Sequence, residues 1–479
     1  MMKKVKNNKN RKLAFPAPFL RCDPLGHYPI LLVVMFLLMG CSDFVEVEAP
    51  KNILISETVF NDSATVESAL ANLYYDMREQ GMVAGTYGLT PVLGMYSDEL
   101  DYYGFNADYT QLFQHNVLSN NTIILDWWKQ AYHLIYGAND IIKGVVASDV
   151  LTPDETKVFK GQALFVRAYI HSLLVSLFGD VPYIKTTDYR ENNIVSRMPQ
   201  IEVYENIISD LEESIALLEG VDTISPDRVL PDDFVAKALL ARVYLYVQNW
   251  EKTASLATVL INAFQLETDL DRVFLKGSQE TLWQLRADAD FPKNTREAVQ
   301  MIIQTIPGQT YALTDDLLGV FENGDLRLDH WVGSQSDSDN TITLYYAHKY
   351  KAGLNETESL EYSILFRLAE QFLIRAEARV HMEDILGART DLDVIRNRAG
   401  LPNTTANTEN DLLEAILRER RVELFTEQGH RWFDLKRTDN AGSILGAIKP
   451  NWQETHTLLP IPETEFEANP KLLPQNPGY

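Results

Sequence analysis

Ala163-Leu164-Phe165-Val166-Arg167-Ala168-Tyr169 and Ala238-Leu239-Leu240-Ala241-Arg242-Val243-Tyr244 are one pattern written twice. Each sets small alanines and large apolar residues at helical spacing around one Arg and one Tyr. Alanines so placed let neighbouring helices approach closely. Ile364-Leu365-Phe366-Arg367-Leu368-Ala369-Glu370, followed by Arg375-Ala376-Glu377-Ala378, gives a third and looser instance. Pro153-Asp154 opens the helix carrying the first copy, and Gly179-Asp180-Val181-Pro182 stops it after Phe178. Pro199 precedes a partner helix, Ile201–Leu218, with Val203, Ile207, Leu211 and Ile215 on its core face. Asp232-Asp233 supplies an N-cap and negative charge to the helix of the second copy, and Asn249-Trp250 makes the turn into its partner. Helix pairs repeated in this way predict a mainly α fold with the character of a degenerate tetratricopeptide solenoid.

Outward from these pairs, Asn61-Asp62-Ser63 opens a helix to about Tyr75, and helical pattern resumes at Asp126 with Trp127, Ala131, Leu134 and Ile135. Between them, residues 81–122 read as a loop-rich stretch. Gly81, Gly85, Gly88, Gly94 and Gly104 break any periodicity there, and tyrosines and acids crowd together. The stretch 280–350 is irregular again, apart from a short strand-like alternation at 280–285 and a Ser/Asp-rich loop at 334–340. Helices are expected to return over 364–398 and again over Asp411–Gln428, before a proline-rich tail from Pro460 to Tyr479. A division at 275/276 separates a region 61–275, with the helix pairs, from a region 276–479, within one integrated globule.

At the other end, Ile30–Met39 is an unbroken apolar run of ten residues that leads into Gly40-Cys41. It is half the roughly 20 residues that a spanning helix needs. Seven basic residues and one acid precede it, as in an export signal. Leu38-Met39-Gly40-Cys41 resembles the bacterial lipobox. That implies a signal peptide 1–40, acyl chains on Cys41 and a polar tether over residues 41–60, with several chains on one residue giving stable anchoring. The long basic segment before the run suggests a translation start downstream of Met1. Elsewhere no apolar run in the sequence reads as membrane-spanning.

The chain carries a formal charge of −24; without the leader's seven bases and one acid it carries −30. Nucleic acid and anionic lipid need a basic footprint, so neither is expected as a partner, and anchoring must come from the lipid. Cys22 leaves with the leader, so Cys41 is alone in the mature chain and no intramolecular disulfide is expected.

The C-terminal half carries recognisable motifs: Phe366-Arg367-Leu368-Ala369-Glu370, Ile395-Arg396-Asn397-Arg398-Ala399-Gly400-Leu401-Pro402, Arg418-Glu419-Arg420-Arg421-Val422-Glu423-Leu424 and Gly429-His430-Arg431-Trp432-Phe433-Asp434-Leu435-Lys436-Arg437. With Ser97-Asp98-Glu99, Phe178-Gly179-Asp180-Val181-Pro182-Tyr183 and the ending Gln475-Asn476-Pro477-Gly478-Tyr479, they resemble the SusD/RagB family of outer-membrane nutrient-binding lipoproteins. The resemblance covers essentially the whole mature chain. It implies a SusD-like fold, in which tetratricopeptide-like helix pairs pack with irregular loop-rich regions and a few short strands. It also implies a surface-facing, lipid-anchored binding protein that captures oligosaccharides, or peptides in some members, and passes them to a SusC-like TonB-dependent transporter.

Sugar rings present a C–H face that packs on aromatic rings, while their hydroxyls need polar partners. Tyr102, Tyr103 and Tyr109 with Asp98 and Asp101, and Tyr311 and Trp331 in the second irregular stretch, have that chemistry and are the candidate ligand residues. Trp127, Trp250 and Trp283 read as packing. The Arg/Glu crowd at 418–434 reads as a structural ion-pair network, with Glu377 or Glu370 as candidate partners for Arg420. A glycoside hydrolase is the alternative class, but acid pairs are inevitable in so acidic a chain and discriminate nothing. No His-Glu-x-x-His, Gly-x-Ser-x-Gly or phosphate-binding glycine loop occurs. No catalytic residue, cofactor or transition-metal site is expected; the loop with Asp337 and Asp339 is a weak calcium candidate.

Overall fold

The structure, a computed structural model, describes residues 59–220, 227–287 and 293–479. The predicted leader, Cys41 and nearly all of the tether lie outside the described residues. Helices of seven or more residues are α1 (Ser63–Glu79), α2 (Leu89–Tyr96), α3 (Ala107–Phe113), α4 (Thr122–Ala147), α5 (Pro153–Phe178), α6 (Gln200–Leu218), α7 (Asp233–Tyr246), α8 (Trp250–Ala263), α9 (Leu368–His381), α10 (Ile385–Arg398), α11 (Glu409–Glu423), α12 (His430–Arg437) and α13 (Ala441–Ile448). The strands are β1 (Leu100–Tyr102), β2 (Thr281–Leu285), β3 (Tyr311–Leu313), β4 (Val332–Ser336), β5 (Thr343–Ala347) and β6 (Ser363–Arg367). The fold is mainly α, as the repeated pattern predicts.

The helix pairs stack in succession, α4 on α5, α5 on α6, α7 on α8, α8 on α9 and α9 on α10. Their ends follow from local chemistry. Thr152 and Glu155 form a reciprocal capping box at the start of α5, with Pro153 in the first turn. Gly179, at φ 73°, ends the same helix in a backbone conformation that disfavours any side chain. Asp232 accepts from the Val235 amide and caps α7. Helix α5 is long and apolar enough to cross a membrane, contrary to the sequence reading, but that apolar window is wholly buried inside the protein.

The repeated Arg has a repeated task. Arg167 on α5 makes a bidentate pair with Asp210 on α6 at 2.7 Å. Arg242 on α7 does the same with Glu370 on α9 at 2.7 Å, and Arg375 on α9 pairs with Asp391 on α10. Each guanidinium lies between helices that the small alanines bring together, and burial there requires a matched carboxylate.

Three expectations need correction. The stretch 81–122 is not simply loop: it contains α2, every residue of which is buried, then β1 and α3. Residues 363–367 form strand β6, not helix, and pair antiparallel with β2 through an irregular register. The Ser/Asp-rich stretch is the end of strand β4 and the turn into β5, where Asp337 accepts from the Thr341 and Ile342 amides.

Candidate functional site

Strands β1 and β3 pair antiparallel, with Tyr102 opposite Tyr311, Asp101 opposite Ala312 and Leu100 opposite Leu313. The Tyr103 amide extends the ladder to the Thr310 carbonyl at 2.9 Å. This small sheet and helix α3 bring four tyrosines into one nest. The Tyr102 ring lies 5.5 Å from Tyr109 and 5.9 Å from Tyr311, Tyr109 meets Tyr311 edge-on at 6.3 Å, and Tyr87 stacks on Tyr109 at 5.9 Å. Tyr109 and Tyr311 are buried, and burial pushes both phenols up, Tyr109 to about 12. The Tyr109 hydroxyl donates to the Thr86 carbonyl. These two rings form the floor of the region.

Above that floor the rings are open. Tyr87 and Tyr103 are exposed, and Phe105 is completely exposed. The loop holding Phe105 is fixed at both ends: the Tyr102 hydroxyl accepts from the Asn106 amide at 3.0 Å, and Asn106 caps α3. Gly104 is required between them, because a Cβ there would lie 2.4 Å from the Tyr102 hydroxyl. Asp101 is half-buried at the rim. Burial and the neighbouring Asp315 and Asp316 raise its pKa against the pull of Lys449.

The structure therefore gathers Tyr102, Tyr103, Tyr109, Tyr311 and Asp101 at one place, but Asp98 and Trp331 are corrections. Asp98 is buried. Burial would raise its pKa, but the Arg431 and Arg421 guanidinium groups prevail and hold it below the usual carboxylate range. Arg431 contacts both its oxygens at 2.7 Å and Arg421 one of them at 2.8 Å, so the buried carboxylate is taken up by ion pairs inside the fold. Trp331 is fully buried, and its indole N–H donates to the Leu270 carbonyl. Its ring packs edge-on to Phe274, with the Lys349 ammonium 5.0 Å from its centre.

Trp331 borders the ion-pair network that the Arg/Glu motifs build. Arg367 contacts Glu280, Glu423 and Glu427; Arg398 contacts Glu280 and Glu423; Arg327 contacts Asp325, Glu419 and Glu423. The network is structural, but the partner expected for Arg420 was misread. Arg420 pairs with Asp434, while Glu370 is held by Arg242 and Glu377 by Arg437. Trp127 and Trp283 are buried, and Trp250 stacks on His381 at 4.0 Å. Among the described residues, no group of three or more His, Cys, Asp or Glu is placed to hold a metal ion. Phe105 and Tyr87 are the open rings that the candidate set lacks. Gly104 beside Phe105, within a polar loop, was the available signal.

Comparison with known proteins gives a consistent answer. A family described as "SusD family" matches residues 287–479, and one described as "Starch-binding associating with outer membrane" matches residues 43–245. SusD-like protein P2 of Formosa agariphila is 29% identical over 514 aligned residues, covering 94% of this chain and 99% of its own. SusD-like protein P25 of the same organism is 23% identical, covering 94% and 98%. A SusD superfamily structure from Parabacteroides distasonis is 25% identical with TM-score 0.74, covering 86% of this chain and 99% of that one. A laminarin-binding SusD-like protein superimposes with TM-score 0.73 at 22% identity, over 88% and 100% of the two chains. Two family matches on either side of one continuous fold, with relatives aligned end to end, show a SusD-like protein.

Proposed function

We infer that the chain is an outer-membrane, lipid-anchored protein that binds oligosaccharide on the open rings of Tyr87, Tyr103 and Phe105 and passes it to a SusC-like TonB-dependent transporter. The carbohydrate reading draws on the starch-binding family description and on the laminarin-binding structural neighbour. The observation that carries it is Phe105. A ring left in water forgoes roughly 1.5–3 kcal/mol of burial, and here the backbone that carries it is held by the hydrogen bond from the Asn106 amide to Tyr102. Such a ring offers a flat apolar face to a pyranose. Tyr102, Tyr109 and Tyr311 pack on one another beside its loop, and Asp101 stands at the rim to accept sugar hydroxyls.

The activity is binding, not hydrolysis. Native affinity electrophoresis on laminarin, starch and other polysaccharides tests this, together with product analysis after prolonged incubation. Retardation by at least one polysaccharide is expected, lost in the Tyr103→Ala/Phe105→Ala double variant, with no released sugar. Released oligosaccharides would establish the hydrolase alternative, and absence of retardation on every glycan would favour a peptide ligand.

A further inference from the structure

We propose that the protein has a second sugar-binding subsite, a cleft between α4, the 182–195 segment and the C-terminal residues 465–472, that accepts one or two pyranose units. The proposal rests on the carbohydrate reading above but uses none of the same residues.

The cleft has a volume of about 440 Å³, within the size range of small-ligand pockets. Trp128, Tyr132 and Tyr136 recur every fourth residue along α4 and so form one wall. Its inner part is braced: Trp128 lies 5.0 Å from Tyr132 and packs edge-on against Phe178 at 5.2 Å, and the Tyr132 hydroxyl donates to the Pro182 carbonyl. Its outer part is open. Tyr136 and, across the cleft, Tyr189 are both exposed, and neither side chain has a hydrogen-bond or ring partner among the described residues. These are two aromatic faces with free hydroxyls, on either side of a concavity.

Polar groups on the walls set the kind of ligand. Asn192 lines the cleft, and its amide nitrogen donates to the Thr186 carbonyl at 2.8 Å. Glu465, half-buried on the third wall, is an acceptor, and the exposed Lys129 acting on it is a donor. Sugar hydroxyls both donate to a carboxylate and accept from an ammonium while the ring stacks on tyrosine. An apolar peptide side chain would use neither polar group.

Helix α4 serves both surfaces. Trp127 donates to the Tyr87 carbonyl beside the Phe105 face, while Trp128 lines the cleft. A polysaccharide that reaches both would gain by avidity over either site alone.

The test is saturation-transfer NMR on the mature chain with methyl β-glucopyranoside, methyl β-galactopyranoside and methyl α-mannopyranoside as probes. A signal is expected for at least one probe. It should persist in Tyr103→Ala/Phe105→Ala, and fall at least fivefold when Tyr136→Ala/Tyr189→Ala is added to that variant. Tyr136 and Tyr189 are exposed and unpartnered, so their removal leaves folding intact, which circular dichroism checks. No signal with any probe overturns the cleft. So does a signal that survives the added cleft substitutions or disappears with the Phe105 variant. Polysaccharide retardation that depends on Phe105 alone would remove this inference and leave the proposed function standing. Reduced co-purification of the outer-membrane transporter from the cleft variant, with unchanged sugar signal, would make the cleft a protein interface and likewise overturn it.

Discussion

The Phe105 face and the Trp331 centre use the same letters to opposite ends. Both combine large rings with carboxylates in irregular sequence. At Trp331 the ring is enclosed, the Lys349, Arg367 and Arg398 cations lie over it, and each of these is paired with carboxylates. At Phe105 the ring stands in solvent, on a loop beside the packed Tyr102, Tyr109 and Tyr311. What separates them is the supply of cations. Arg327, Arg367, Arg398 and Lys349 converge on the first region and neutralise its acids, so it can close. In the second, Asp101 has Asp315 and Asp316 beside it with Lys449 acting against them, and it keeps part of its surface in water.

The largest effect is expected from removing a cation at the closed centre. Arg367→Ala leaves Glu280, Glu423 and Glu427 short of a partner in a fully buried site. Breaking a buried pair from one side costs about 3–5 kcal/mol, and this guanidinium serves three carboxylates. Thermal unfolding should show a loss of that size or failure to fold. A melting temperature within a degree or two of the parent would mean that the network is hydrated.

Glu99 allows a finer test of the same region. Burial and the adjacent Asp98 push its carboxyl up to about 8, and its Oε2 accepts from the Thr426 amide. The folded protein thus holds a proton that the unfolded chain, near 4.5, gives up. The penalty is absent below about pH 4.5 and grows as pH rises towards 8. Glu99→Gln should therefore gain on the parent steadily over that interval, by an amount on the order of a few kcal/mol. Stability against pH by denaturant titration reads it; parallel curves would show that Glu99 is ionised in the folded protein.

The comparison also shows which features the sequence could convey. Long periodic helices were legible: α5 and α6 lie within a residue of their expected bounds, because caps, prolines and an apolar stripe agree. Strand β6 was not, since Ile364-Leu365-Phe366 runs into α9 without a turn and Arg367 is at once the last strand residue and the helix N-cap. Trp331 was misplaced because Asp329 and His330 precede it, and a six-residue helix is too short to show a buried stripe. Asp98 looked like Asp101, three residues away. What buries it is Arg431, more than three hundred residues later, and no local pattern conveys that. The crowd of tyrosines marked the right loop, whereas which ring stays open depends on the β1–β3 pairing across the same distance scale.

At the open face, Gly104→Ala should cost about 1 kcal/mol, as the new methyl group forces the Tyr102 ring away from its seat beneath the loop. Polysaccharide affinity should fall with it, since Phe105 loses its brace. The smallest effect on stability, and the sharpest contrast with Trp331, belongs to Phe105 itself. Phe105→Ala removes a ring that buries nothing, so unfolding free energy should change by no more than about 0.5 kcal/mol. Trp331→Ala, which empties a closed site, should cost roughly 3–5 kcal/mol in the same denaturant titration. The affinities should rank the other way: about tenfold weaker retardation for Phe105→Ala, and parental retardation for whatever Trp331→Ala protein folds. If Phe105→Ala instead unfolds the protein, the ring is covered in solution, and the open face loses its binding role along with its exposure.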